Sequence, residues 1–375
     1  MNTNQFSSAV IRVLTLKQDK IANNELYFSN GRINMDKDFM SNNLNINENK
    51  KHVWGIKFFD KKYSQWWRGI AAVFIMIGHL IPNDAPYYIN FFFTGSIWVG
   101  IFFFYSGYGL QFSIDNNEKY LDDFIPRKLR DVYLPFIIAE TIYYFIVNIL
   151  LKKYQMIFID TLLYVTGIKL ANTVLWYIVE LLIIYFIFYL INHFKINNKV
   201  WIAIYVVFLI FAVLIDLGAW WYLSSFCFLL GIYYKQIEKI FYSVRKRINW
   251  ICLLLVFCTF YTLIKVIPLI NAEYIHRFQN YLIVAVTMIT CPFFVFVAVG
   301  ITERFYKYMQ SQLLGSISYE IYLYHLLVAE LIWTLTGKTM PAVVVIVPTT
   351  IVISFGMNRI KSAVCGLLSS KDRVK

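Results

Sequence analysis

Ten apolar stretches, each close to a membrane-spanning length, follow one another between Trp66 and Arg359, and they constrain the fold more than any other feature of the sequence. They run over 66–82, 89–112, 131–151, 173–193, 199–217, 219–235, 249–267, 279–301, 313–335 and 340–359. A transmembrane helix needs about 20 apolar residues to cross ~30 Å of hydrocarbon. The expectation is an all-α polytopic membrane protein with about ten transmembrane helices. A further apolar piece, 156–167, is too short to span and is expected to lie at the interface or to re-enter. Composition agrees: 59% of residues are hydrophobic and 15% charged, against about a quarter charged in a soluble domain. The 33 Phe and 28 Tyr suit helices that pack in lipid and set amphipathic rings at its two surfaces.

The formal net charge of +13 is distributed in short runs between apolar segments, so it marks topology and not a nucleic-acid surface. With the N-terminus in the cytoplasm, the inside loops are 113–130, 194–198, 236–248, 302–312 and the tail after Arg359. Those loops hold Arg127, Lys128, Arg130, Lys235, Lys239, Arg245, Lys246, Arg247, Arg304, Lys307, Lys361, Lys371, Arg373 and Lys375, whereas the outside loops offer little beyond Lys152, Lys153, Lys169, Arg277 and Lys338. Positive residues concentrate on the cytoplasmic side of membrane proteins, so both termini are expected to be cytoplasmic. Residues 1–62, rich in Asn and Lys, are expected to form a mostly disordered cytoplasmic extension, with Met35 or Met40 as an alternative start. Residues 63–361 form the transmembrane domain and 362–375 a short basic tail. No signal peptide is expected to be removed. The five cysteines are scattered, without a close pair or a His-rich companion, so neither a disulfide framework nor a metal site is expected.

Ionisable groups inside a membrane segment are costly, which makes each a functional candidate. They are His79, Glu140, Glu180, Glu320, His325 and Glu330, with Asp216 and Lys265 nearer helix ends. Arg68 lies at the cytoplasmic end of the first helix and His79 about 16 Å above it, at ~1.5 Å per residue. Gly69, Ala71, Ala72 and Gly78 between them let a neighbouring helix or a ligand approach the backbone. An imidazole suits general-base work on a hydroxyl; the other reading of His79 is a histidine hydrogen-bonded within the bundle. Arg68, Arg127 and Arg130 suit binding of phosphate, or else anchor the cytoplasmic face. Tyr319, Tyr322 and His325 lie roughly on one helical stripe, expected to line an acceptor path, orient His79 or bond between helices. Glu180 is placed to support a histidine or to line a cavity. Ser106 has no nucleophile elbow around it and reads as a packing site.

The stretch RGIAAVFIMIGHL, an arginine followed after ten residues by a histidine, resembles the first-helix signature of the acyltransferase-3 family of membrane O-acyltransferases. Further stretches agree in order: IFFFYSGYGL (101–110), IPRKLRDVYLPF (125–136), LWYIVELLIIYF (175–186) and LGSISYEIYLYHLLV (314–328). The resemblance implies a cell-membrane enzyme that takes an acyl group, usually acetyl, from cytoplasmic acetyl-CoA or another acyl-CoA to a hydroxyl of an envelope polysaccharide, glycolipid or lipid-linked sugar. It implies His79 as the essential histidine, Arg68 as its partner and Arg127 with Arg130 as the basic pair. Some members append a soluble extracellular hydrolase-like domain; here that step would fall to the chain itself or to a separate extracytoplasmic partner. The competing reading is an exporter of a glycan or lipid precursor, with buried His and Glu forming a substrate or proton path.

Overall fold

The computed structural model describes residues 56–82, 95–152, 158–197, 199–215, 217–236, 238, 243, 250–266 and 276–371. The extension up to residue 55, Asp216, the cations Lys239 and Arg245 to Arg247, the side chains of Lys265, Arg277 and Lys371, and the tail after Lys371 lie outside the described residues.

Every described element is helical. In lipid each backbone N–H and C=O needs an internal partner, and a helix supplies one within its own segment. The elements are α1 (Ile56–Phe59), α2 (Lys61–Leu80), α3 (Gly95–Asn116), α4 (Phe124–Lys128), α5 (Leu134–Leu151), α6 (Phe158–Val165), α7 (Trp176–His193), α8 (Val200–Leu214), α9 (Phe226–Ile232), α10 (Trp250–Val266), α11 (His276–Phe305), α12 (Leu313–Ser316), α13 (Ser318–Thr336) and α14 (Met340–Lys371). A π-helical turn, Leu129–Tyr133, joins α4 to α5, so the basic segment opens a continuous helical stretch with one widened turn.

Among the described residues five helical stretches are long and apolar enough to cross a membrane: Gly95–Asn116, Phe124–Leu151, Thr173–His193, Val284–Tyr308 and Met340–Ala363. Three apolar helices are shorter, at Val200–Ala212, Ala219–Ile232 and Leu254–Leu263. Two helices of near-spanning length, α2 and α13, are outside this set. The first carries Lys61, Lys62, Arg68 and His79, and the second Glu320, His325 and Glu330. Their polarity reflects position, because both sit in the interior and contribute buried faces to the same apolar cluster. Outward faces are instead lined by exposed Ile, Val, Leu and Phe, such as Val207, Phe211, Val344 and Val352, the surface expected against lipid.

The first residues of the packed body lie ahead of the boundary that hydropathy places at 63. Phe58 is fully buried and stacks on Tyr105 with centroids 4.9 Å apart, while the Tyr105 hydroxyl donates to Phe58 O at 3.1 Å. The carboxylate of Asp60 then caps α2 by accepting from Lys62 N at 2.8 Å. The short apolar piece after α5 forms α6, with Phe158, Ile159 and Leu162 exposed and Tyr164 buried against Tyr144. Its one-sided burial fits an interfacial helix.

Glycines permit two close helix contacts. A Cβ at Gly69 would meet Leu314 and Gly315 at 2.7 Å, and one at Gly315 would strike Gln65. In the same way Gly107 and Gly231 bring α3 and α9 together backbone to backbone. Gly315→Leu or Gly231→Leu must push two helices apart. Each is expected to lower stability by about 1–3 kcal/mol or more, measured as an earlier thermal transition of the purified protein in detergent; an unchanged transition contradicts the assigned packing.

Candidate active site

The packing that seats α2 against α13 also brings two imidazoles together. Ala72, Met76 and Leu80 of α2 share an apolar cluster with Ile321, Val328 and Ala329 of α13 and with Ala342, Val343 and Ile346 of α14. At its edge His79 Nδ1 lies 3.1 Å from His325 Nε2, and the rings stack at 12° with centroids 5.3 Å apart. His325 is 1% exposed, whereas His79 keeps an exposed edge although protein atoms crowd around it. His325 is therefore enclosed by the protein, whereas His79 keeps accessible surface.

The stripe expected on α13 exists, and each of its members ties that helix to a different element. The Tyr319 hydroxyl donates to Val132 O of the π turn at 2.7 Å. The Tyr322 hydroxyl donates to Val174 O, just before α7, and its ring centroid lies 5.9 Å from that of His325. Both hydroxyls are thus engaged with backbone carbonyls, which assigns them to holding the site together. Glu140 of α5 reinforces the same region: its buried carboxylate accepts from the backbone N–H groups of Ala171 and Asn172. Asn172 Oδ1 in turn accepts from Val174 N at 3.2 Å. Glu180, one turn after Trp176, is buried with neither carboxylate oxygen in a protein hydrogen bond. The Ser225 hydroxyl lies beside its carboxyl group and 3.5 Å from Tyr222 O.

At the other end of α2, Arg68 donates through Nε to Ser64 O at 3.3 Å and lies among the phenols of Tyr105, Tyr177 and Tyr185. Among the described residues no carboxylate pairs with it. The Arg127 and Arg130 side chains diverge. Arg127 donates to Tyr120 O at 2.8 Å and stacks on that ring, whereas Arg130 is exposed and pairs with Asp131 at 2.8 Å. Between them Lys128 sets its ammonium 4.3 Å from the Tyr185 ring centroid, so Tyr185 is shared by Lys128 and Arg68. Lys128 is the cation that sequence reasoning did not single out. Its only signal was a place inside a basic run, and the π turn that carries Arg130 away from it has no marker in sequence. Ser106 accepts from Tyr185 at 3.3 Å, in keeping with a packing and support role.

Fold and side-chain placement together define a helical membrane protein with a pair of histidines in contact in its core and a basic, tyrosine-lined region about three turns away along α2. The chain belongs to the acyltransferase-3 family: a family model described as an acyltransferase domain matches residues 61–359. It is a membrane acyltransferase. No curated protein and no solved structure matches the chain.

Removing the Glu140 carboxylate strands buried N–H groups, at about 1–3 kcal/mol for an unpartnered donor. Glu140→Ala is therefore expected to lower both thermal stability and activity, and Glu140→Gln, which keeps an acceptor oxygen, to lower them less; equal behaviour of the two variants contradicts the capping role.

Proposed function

We propose that this chain is a multi-pass O-acyltransferase of the cell membrane, with ten spans and both termini in the cytoplasm. It moves an acyl group, in the first instance acetyl, from cytoplasmic acyl-CoA to a hydroxyl of a cell-surface polysaccharide or glycolipid. The observation that carries this reading is the pairing of an exposed His79 with a buried His325, eleven residues along α2 from an arginine that has no carboxylate partner among the described residues. The rise between Arg68 and His79, about 16 Å, suits the pantetheine arm of a coenzyme that holds its phosphates at one end and its thioester at the other.

In this reading Arg68 and Lys128 hold the phosphates, with Arg127 and Arg130 supplying a wider basic mouth. Guanidinium and ammonium groups beside phenol rings bind phosphate through charge-assisted hydrogen bonds. His79 takes the proton of the acceptor hydroxyl as its oxygen attacks the thioester carbonyl; the C–S bond then breaks, and the proton passes from His79 to the departing thiolate. Glu180 offers a carboxyl group to acceptor hydroxyls, and Tyr319 and Tyr322 keep the walls of the path in register. Final transfer is made by this chain or by an extracytoplasmic partner that receives the acyl group.

The buried Glu180 also favours a second reading, in which a buried carboxyl carries protons through an exporter of a glycan or lipid precursor. The two differ in whether acyl-CoA is consumed. Membranes carrying the wild type, supplied with acetyl-CoA and envelope glycan, are expected to release free thiol, and His79→Ala to lose that release by on the order of 10²-fold or more. Thiol release unaffected by His79→Ala, or none at all from folded wild type with any acyl-CoA, overturns the transferase reading.

Loss of one charge-assisted contact, worth about 1.5–3 kcal/mol, is expected to raise KM for acyl-CoA in Arg68→Ala and in Lys128→Ala by roughly 10- to 100-fold, with a smaller change in Arg130→Ala. An Arg130 effect larger than that of Lys128, measured by the same thiol assay, contradicts the assignment of Lys128.

A further inference from the structure

The hydrogen bonds around the two imidazoles dictate which nitrogen of His79 carries its proton. His325 Nδ1 faces two carbonyl oxygens of its own helix, Tyr322 O at 2.9 Å and Ile321 O at 3.1 Å. A carbonyl only accepts, so Nδ1 of His325 carries the hydrogen. A neutral ring has one N–H, which leaves His325 Nε2 as a lone pair. That lone pair lies 3.1 Å from His79 Nδ1, and His79 Nδ1 must therefore donate. The remaining nitrogen, His79 Nε2, is left as an unprotonated base on the ring that keeps an exposed edge. The opposite assignment needs a cationic His325. A buried charge without a partner is costly, and among the described residues no carboxylate pairs with either ring.

We propose that His325 is a positioning residue that holds His79 in its Nδ1–H tautomer, so that Nε2 is the base that meets the acceptor hydroxyl. The proposal rests on the acyltransferase reading of His79 and adds the origin of its basicity. The His325 ring is held on two sides, by its own helix carbonyls and by Tyr322, whose hydroxyl is fixed to Val174 O. Once Nε2 has taken the acceptor proton, the His79 cation still donates from Nδ1 to His325 Nε2. That bond strengthens as the charge develops, and it relaxes when the proton passes from Nε2 to the thiolate.

The test combines substitution at His325 with ¹⁵N NMR of ring-labelled histidine in the full-length protein, the His79 signals being assigned by their loss in His79→Ala. In the wild type His79 is expected to be protonated at Nδ1 and bare at Nε2. His325→Gln carries an amide oxygen to accept from His79 and an NH₂ to donate to the helix carbonyls. It is expected to keep kcat for thiol release from acetyl-CoA within about tenfold, whereas His325→Phe and the shorter His325→Asn lose on the order of 10²-fold in kcat with little change in KM. In His325→Phe the His79 ring is expected to show mixed tautomers. A wild-type His79 protonated at Nε2 overturns the proposal whatever the His325 variants do. So does His325→Phe with full kcat or an unchanged His79 tautomer, given that His79→Ala is inactive; an active His79→Ala overturns the underlying reading of His79 as well.

Discussion

A polar group placed inside a bundle that faces hydrocarbon must find its partner within the protein, and the core of this chain is arranged around that requirement. His79 and His325 meet each other, Glu140 meets the N–H groups of Ala171 and Asn172, and the Tyr319 and Tyr322 hydroxyls meet backbone carbonyls on two other elements. The centre of the network is the hydrogen bond between the imidazoles, because several features of the packing converge on it. It requires the close crossing at Gly69 and Gly315, the apolar cluster that locks α2 to α13 and α14, and the fixing of the segment before α7 by Glu140, Asn172 and Tyr322. A shift of one helix by a fraction of a turn separates the rings and strands buried donors and acceptors together.

The same arrangement divides the protein into two chemical zones along α2. Arg68 sits among phenols and shares Tyr185 with Lys128, in surroundings that attract an anion without burying one of the protein's own carboxylates beside it. About three turns further along, the environment changes to stacked neutral rings, one of which retains accessible surface. A substrate with phosphates at one end and a reactive carbonyl at the other matches this polarity. In the proposed reading the helix serves as a ruler as well as a scaffold, and the small residues between Arg68 and His79 let neighbours lie close against it.

Much of this was legible in the sequence because hydropathy and residue spacing report it directly. Each of the ten apolar stretches contains helix, five helical stretches among the described residues are long and apolar enough to cross a membrane, and the short piece after α5 contains α6, Phe158–Val165, with Tyr164 buried. The spacing of Arg68 and His79 and the stripe of Tyr319, Tyr322 and His325 survive as geometry. Less legible were the features that depend on side-chain direction. The basic segment reads as an arginine pair, but the π turn after Lys128 sends Arg130 outward to Asp131 and leaves Lys128 over Tyr185. The engagement of the Tyr319 and Tyr322 hydroxyls with distant carbonyls has no signature in a single helix. The contact between His79 and His325 joins residues 246 positions apart, so no local pattern announces it. α2 and α13, legible as apolar stretches, are less apolar than the five longest candidate spans because they carry Arg68, His79, Glu320, His325 and Glu330.

The most direct measurement is a structure of the protein with an inert thioether analogue of acetyl-CoA bound. The account expects the carbon that replaces the reacting carbonyl to lie within about 3–4 Å of the space in front of His79 Nε2, the pantetheine arm to run along α2, and the phosphates to rest against Arg68 and Lys128. An analogue bound with its acyl end away from His79, or with its phosphates held elsewhere, would contradict it.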